Sequence, residues 1–330
     1  LEGEHVELHW GECSWRQQDA RPRQPAKPCQ PGFTLSISSS LSCRHLRNAG
    51  FDRRPRVLAS AVRLFDSHPA RPSLGGERSM PRETRVAYFS MELALSPAMP
   101  TYSGGLGVLA GDTIRSCADL GVKVVAVTLL HRMGYFRQRL DRSVRQSVEP
   151  ETWPLEKFLE PLSARVAVDI EDRPVEIRAW RHTVTGVDGA RVATYFLDTD
   201  LPENAPEDRR LTDSLYAGDE RHRLRQEVVL GIGGVKMLRA LGFQHLDRYH
   251  LNEGHAALAI LALLEERHGD PPRSHPDLDA RIEEIRRCCV FTTHTPVPAG
   301  HDKFPMEMAC AVLGKRRARW LATVAKQGVL

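Results

Sequence analysis

Between two apolar runs lies Tyr102-Ser103-Gly104-Gly105-Leu106-Gly107-Val108-Leu109-Ala110-Gly111-Asp112, and this glycine-rich junction restricts the possible folds more than any other part of the chain. The run before it, Val86 to Met91, has the length and the aromatic and β-branched content of a buried strand. The run after it, Asp112 to Leu120, reads as a helix closed by Gly121. A strand, a glycine turn and a helix in that order make the place where an α/β protein receives an anion, because backbone N–H groups at the helix start can face it. Glycine at such a turn can also be purely steric, and the pattern alone does not separate the two. The spacing of the glycines at 105, 107 and 111 is not the G-x-G-x-x-G of dinucleotide folds, and no lysine follows as a phosphate-binding P-loop requires.

The next run, Val122 to Leu130, is almost continuously apolar, as expected of a strand covered on both faces. A doubly wound α/β domain follows from these units. From Arg165 to Asp198 the pattern changes to short alternating segments around the turn Val187-Asp188-Gly189-Ala190, which predicts an antiparallel β-meander inserted in that domain. Glu203 to Asp219 reads as a surface loop and Arg223 to Leu241 as a helix ended by Gly242. Two more strand ends follow: Tyr249 to Glu253 leads into a helix from His255 to His268, and a strand from Cys288 to Thr293 leads into His294-Thr295-Pro296.

Composition narrows the class. An apolar fraction of 41% in 330 residues supports a folded core, and a net charge of +4 against 46 basic and 42 acidic residues gives no basic stripe for nucleic acid. Apolar stretches such as Ala256 to Leu264 are too short to cross a membrane, and no signal-peptide pattern opens the chain, so the expected location is cytoplasmic. The seven cysteines show neither C-x-x-C nor a disulfide framework and read as reduced thiols. Residues 1 to 79 are dense in Arg, Pro, Ser and Cys without periodicity; they are expected to be a non-native or disordered extension, with Met80 as the true start.

Three polar clusters stand at expected strand ends: residues 103 to 107, Asn252-Glu253-Gly254-His255, and Thr293-His294-Thr295-Pro296 with Gly300-His301-Asp302. Open α/β sheets bind ligands at that edge. No nucleophile elbow or paired Cys/His arrangement is present, and His255, His294 and His301 lack a compact metal-ligand spacing, so no metal is expected. Hydroxyl-rich ligands and anions suit these residues. Bland readings are also open: His255 can cap or pack, His294 can be satisfied by a backbone carbonyl, and Glu253 can answer a helix dipole as well as a sugar hydroxyl.

The runs Val86 to Glu92, Thr101 to Asp112, Gly134 to Gln138, Leu197 to Asn204, Arg225 to Gly234, His250 to His255 and Thr292 to Asp302 together resemble α-glucan (glycogen or starch) phosphorylases of the short bacterial and archaeal type. The resemblance runs from about Met80 to Leu313 and implies a GT-B architecture of which residues 80–313 are the N-terminal Rossmann-like domain. It implies phosphorolysis of α-1,4-glucan or maltooligosaccharide by orthophosphate, with retention, to α-glucose 1-phosphate. It also implies pyridoxal phosphate as cofactor, acting through its 5′-phosphate, and a homodimer as an assembly open to the intact enzyme. Carried onto this chain, the resemblance gives Gly104 and Gly105 backbone N–H contacts to the phosphates and Leu106 one to the glucosyl unit. It gives His294 the glucose 6-hydroxyl by its side chain and the charged transition state by its carbonyl. Thr295, Glu253 and His255 would line the sugar pocket.

The family's pyridoxal-binding lysine has no counterpart here, and residues 314–330, opening Gly314-Lys315-Arg316-Arg317, read as an aberrant or truncated tail. The expectation is that the C-terminal cofactor domain is absent, that the cofactor is not retained, and that this chain alone does not turn over. The short loop Leu215 to Glu220 argues against nucleotide or phosphorylation control. Two alternatives remain: a non-catalytic glucan- or phosphate-binding remnant, and a nucleotide-sugar glucan synthase, disfavoured because Tyr102-Ser103 stands where those enzymes carry a lysine.

Overall fold

The computed structural model describes residues 5–7, 86–271, 275–294 and 302–325. These belong to one folding unit, and the other unit, Ser14–Pro81, lies outside the described residues. The expected extension over 1–79 therefore falls outside the description except for β1 (His5–Glu7).

The elements that carry the fold follow in chain order. After β1 come β2 (Val86–Ser90), α1 (Gly105–Asp119) and β3 (Val124–Leu129). Next are the exposed hairpin strands β4 (Arg137–Leu140) and β5 (Gln146–Glu149) and the short helix α2 (Leu155–Phe158). β6 (Glu160–Ile170), β7 (Arg173–Thr185) and β8 (Arg191–Asp198) lead to α3 (Pro206–Arg209) and α4 (Glu220–Val228). A π-helical turn, Val229–Gly233, joins α4 to α5 (Gly234–Ala240). β9 (Arg248–Asn252), a 3-10 turn (Gly254–Ala256), α6 (Leu258–His268), α7 (His275–Cys288) and β10 (Cys289–Thr292) follow. β11 (Lys303–Pro305), which pairs with β1, and α8 (Met306–Ala325) come last.

Among the described residues seven strands form one sheet in the order β10-β9-β2-β3-β8-β7-β6. The pairs β10-β9, β9-β2, β2-β3 and β3-β8 are parallel, and β8-β7 and β7-β6 antiparallel. The mixed α/β class with a mostly parallel centre is as expected. The strands of the meander region continue the central sheet, since β8 lies directly beside β3.

The centre is buried on both faces, and side chains alternate between them. Val86, Tyr88, Val124 and Ala126 pack under α1 with Ala110, Ile114 and Ala118. Ala87, Phe89, Val127 and Leu129 face the α4–α6 side with Val228, Leu230, Ile232 and Leu258. The apolar runs of β2 and β3 are thus a requirement of a two-sided core.

Several local expectations shift. Helix α1 begins at Gly105, seven residues before Asp112, so the first turn contains the glycines expected to form a loop. Its start is set by packing: a Cβ on Gly107 would lie 2.5 Å from Tyr102 Cβ, and one on Gly111 would lie 2.1 Å from the Ala94 carbonyl oxygen. The helix expected over 223–241 is interrupted by the π turn, where Gly231 lets it approach α6; a Cβ there would lie 2.6 Å from Ala259 N. The segment 203–219 is less superficial than its composition suggests, with Leu211, Thr212 and Leu215 buried. Helix α7 adds an element that the strand-and-turn pattern does not mark, and Cys288 ends it instead of opening β10. Within α8, Gly314 breaks the helix at φ 78°, and beyond it Ala318, Trp320, Leu321 and Val324 are buried.

Candidate active site

Parallel pairing brings three strand ends to one edge. Ser90 of β2 stands opposite Asn252 of β9, and Asn252 stands opposite Thr292 of β10. Residues just beyond those ends therefore meet: Glu92 after β2, Glu253 and His255 after β9, and His294 after β10. Thr295 and His301 lie outside the described residues.

A hydrogen-bond chain links them. Asn252 Nδ2 donates to Ser90 Oγ (3.1 Å), and Ser90 Oγ donates to the Glu92 carbonyl (2.7 Å). That orientation leaves Asn252 Oδ1 facing His294 Nε2 at 3.0 Å, with Thr292 Oγ1 also donating to it at 3.3 Å. An amide oxygen only accepts, so in the neutral ring Nε2 carries the proton and Nδ1 is the acceptor. His294 is thus held by one nitrogen while its other nitrogen can accept from a hydroxyl. Behind it, His250 Nε2 lies 3.0 Å from Thr292 Oγ1, and burial with the nearby His294 lowers the His250 pKa to about 4.

Glu253 is fully buried with φ 68°, an uncommon backbone for a non-glycine residue. Its carboxylate accepts from the His294 backbone N–H (2.5 Å) and from Thr293 Oγ1 (3.2 Å). It does not cap the 3-10 turn that follows. Its visible work is to hold the segment that carries His294.

Glu92, which no sequence motif singles out, is the corresponding clamp on the glycine segment. It is 2% exposed. Its Oε2 accepts from the Ser103 N–H at 2.7 Å and, more weakly, from the Gly104 N–H at 3.4 Å, while Oε1 accepts from Tyr216 Oη at 2.8 Å. Its position two residues beyond a buried strand, at the end of the run Val86 to Glu92, is the available signal; its partners are 11 and 124 residues away.

Beyond this clamp, Gly104 is the N-cap of α1, with no side-chain cap, and the first-turn N–H groups of Gly105, Leu106 and Gly107 precede any intrahelical acceptor. A Cβ on Gly104 or Gly105 would meet nothing within 4 Å, and neither residue has positive φ. The fold needs glycine at 107 and 111 but not at 104 and 105.

His255 closes the edge. Its ring lies 5.6 Å from the Tyr216 ring, and its Nε2 lies 3.6 Å from Asp302 Oδ2. Arg223 stacks over Tyr216 at 4.8 Å and donates to Asp302 at 2.5 Å. Among the described residues no group of three or more metal-ligating side chains gathers, and no helix is long and apolar enough to cross a membrane.

Similarity to known proteins names the family. A maltodextrin phosphorylase of Thermococcus litoralis is 42% identical over 259 residues, covering 75% of this chain and 29% of that protein. A glycogen phosphorylase of Mycobacterium tuberculosis is 39% identical over 246 residues, covering 71% and 28% respectively. This chain belongs to the glucan phosphorylase family. A glycogen phosphorylase of Aquifex aeolicus, 30% identical over 230 residues, covers 68% of the chain and 32% of its own length. No family model matches. The chain spans less than a third of the length of these phosphorylases, so it represents part of such an enzyme.

Proposed function

We propose that residues 80–313 form the N-terminal lobe of a GT-B glucan phosphorylase, with β6–β8 as an insertion relative to the simplest doubly wound unit. Its substrates are an α-1,4-glucan or maltooligosaccharide and orthophosphate, and its product is α-glucose 1-phosphate, formed with retention. The observation carrying this reading is that Gly104 and Gly105 are sterically unnecessary to the fold. Glycine at such positions is explained by a ligand that must approach the backbone closely, and the start of the 15-residue α1 favours an anion there.

In this reading the Gly105 N–H faces a phosphate, the Gly104 N–H joins it by giving up its long 3.4 Å bond to Glu92, and the Leu106 N–H faces the glucosyl unit. His294 accepts the sugar 6-hydroxyl at Nδ1, its ring set by Asn252, and its backbone carbonyl faces the reacting carbon, where positive charge develops. Thr295 and His255 line the pocket, and Glu253 shapes it by fixing His294. Glu92 holds the glycine segment in the geometry the anion meets.

Pyridoxal phosphate, the cofactor of the family, fits these residues only in part. Its phosphate suits the open start of α1, but its aldehyde needs an amine, and the segments 102–107, 252–255 and 292–294 contain no lysine. No step above passes through it.

Calorimetric titration of the 330-residue chain with phosphate and with maltoheptaose tests the reading. Saturable binding of both, weakened by Gly105→Ala and His294→Ala respectively, is the expected result. Phosphate heats identical in wild type and Gly105→Ala would refute the anion site.

A further inference from the structure

The segment between α3 and α4 sends one aromatic side chain into the candidate site, and the proposed mechanism gives it no part. Tyr216 is half-buried and has φ 55°, a backbone conformation that costs an aromatic residue energy unless its surroundings hold it there. The Leu215 N–H donates to the Gly134 carbonyl at 2.9 Å, and the Gln226 side-chain amide donates to the Leu211 and Ser214 carbonyls at 2.8 and 3.0 Å. The Arg223 guanidinium lies over the Tyr216 ring at 4.8 Å, and the rings of His255 and Tyr135 lie 5.6 and 6.3 Å away.

This strained and anchored residue delivers a hydroxyl to Glu92. Tyr216 Oη donates to Glu92 Oε1 at 2.8 Å, and among the described residues it is the one donor to that oxygen. Burial and the adjacent Glu92 raise the pKa of the phenol, so it keeps its proton and Glu92 accepts. The other oxygen, Oε2, receives the Ser103 N–H at 2.7 Å and stands 3.4 Å from both the Gly104 nitrogen and Ser103 Oγ. Glu92 therefore grips Ser103 firmly and Gly104 loosely. A buried carboxylate oxygen without a donor is costly, so a Glu92 deprived of the phenol would draw on the N–H groups within reach, and the loosely held Gly104 N–H is the one with room to move.

We propose that Tyr216 is a positioning residue: by donating to Glu92 Oε1 it limits the pull of Glu92 on the glycine segment and leaves the Gly104 N–H able to turn to an incoming phosphate. This rests on the reading of the start of α1 as an anion site. The same bond draws negative charge toward Oε1, so an anion approaching Gly104 meets less repulsion from Oε2.

Tyr216→Phe isolates the hydroxyl, since it keeps the ring under Arg223 and beside His255. The Gly104 N–H should then close on Glu92 Oε2, and phosphate must compete with a carboxylate for it. The affinity of the 330-residue chain for inorganic phosphate should fall about five- to tenfold, the worth of one hydrogen bond, while its affinity for maltoheptaose stays as in the wild type. In Glu92→Ala the same Tyr216→Phe change should cost no further phosphate affinity, because the effect passes through Glu92.

Amide NMR of the nitrogen-15-labelled chain, with calorimetry for both ligands, tests this. The Gly104 amide proton should move downfield in Tyr216→Phe as its bond to the carboxylate shortens. An unmoved Gly104 signal would overturn the proposal whether or not phosphate binds, and this holds even if Glu92→Ala fails to fold. Equal losses of phosphate and maltoheptaose affinity would also overturn it, as a general loosening of the fold. So would a phosphate loss of the same size in the Glu92→Ala background. If the Gly104 signal moves as expected but phosphate does not bind the wild type, the anion reading fails and the hold of Tyr216 on Glu92 stands.

Discussion

Replacing Gly111 with alanine places a methyl group 2.1 Å from the Ala94 carbonyl oxygen and 2.7 Å from its carbonyl carbon, both backbone atoms that no rotamer change can clear. Ordinary contact begins at 3.4 Å, so α1 would have to retreat by more than about 1 Å. The same carbonyl accepts from Arg115 Nη1 at 2.8 Å, and the Ala94 N–H donates to the Gly107 carbonyl at 2.9 Å, so both bonds are disturbed. Overpacking of this kind costs about 1–3 kcal/mol, and a weakened hydrogen bond adds about 1 kcal/mol. Against that, alanine in a helix interior regains about 0.5–1 kcal/mol over glycine. The net expectation is a loss of about 2–3 kcal/mol, a fall in melting temperature of about 4–12 °C for a domain of this size. Gly105→Ala is the paired control: its Cβ meets nothing, so stability should stay within about 0.5 kcal/mol while phosphate affinity falls at least about tenfold, because the methyl stands where the anion must approach. Urea unfolding and phosphate calorimetry on both variants give the answer. An unchanged midpoint in Gly111→Ala would refute the packing argument.

Other perturbations follow from the same geometry. Glu92→Ala deprives the Ser103 N–H and Tyr216 Oη of their acceptor and should cost about 2–4 kcal/mol in urea unfolding, with Glu92→Gln costing less than half of that because one acceptor survives. Trp320 is fully buried and donates to the Gly269 carbonyl at 3.0 Å, so Trp320→Ala should cost about 3–5 kcal/mol; a loss below about 1 kcal/mol would show that this helix does not seal the core. Asp198 accepts from Arg178 (2.7 Å), Trp180 Nε1 (2.9 Å) and Arg132 (2.5 Å), and Asp198→Ala leaves the two guanidinium groups only their longer contacts to Asp200, at an expected cost of about 3 kcal/mol by the same assay. Burial holds His131 neutral with a pKa lowered to about 4, opposed by its bond to the Met91 carbonyl. The unfolded chain binds this proton first, so stability should fall as pH drops from about 6.5 through about 4, by up to about 3 kcal/mol. His131→Gln should flatten that acid limb of a midpoint-versus-pH curve.

Parts of the fold are legible in the amino-acid order because they report burial directly. Val86 to Ser90 and Val124 to Leu129 are apolar because a central parallel strand has no wet face. The turn at residues 187–190 and the glycines after the helices are legible for a different reason: Gly121, Gly189 and Gly242 all adopt positive φ, which glycine tolerates best. Helix α7 carries a weaker signal, since Leu278, Ile282 and Ile285 recur at helical spacing in an otherwise charged segment and are its buried face. Strands β4 and β5 carry none, being exposed throughout.

The sequence by itself determined the α/β class, the order strand, glycine turn and helix, and the three polar strand ends, because each depends on neighbours within a few residues; it set the start of α1 seven residues too late. It could not distinguish the glycines. Only the tertiary structure separates Gly107 and Gly111, pressed against Glu92 and Ala94, from Gly104 and Gly105, which face open space, because steric need depends on atoms distant in the chain. The Glu92 and Glu253 clamps and the Asn252-directed tautomer of His294 were likewise decided by the sheet. Parallel pairing puts residues 40 or more positions apart on one edge, and hydrogen bonds then fix what local sequence leaves free.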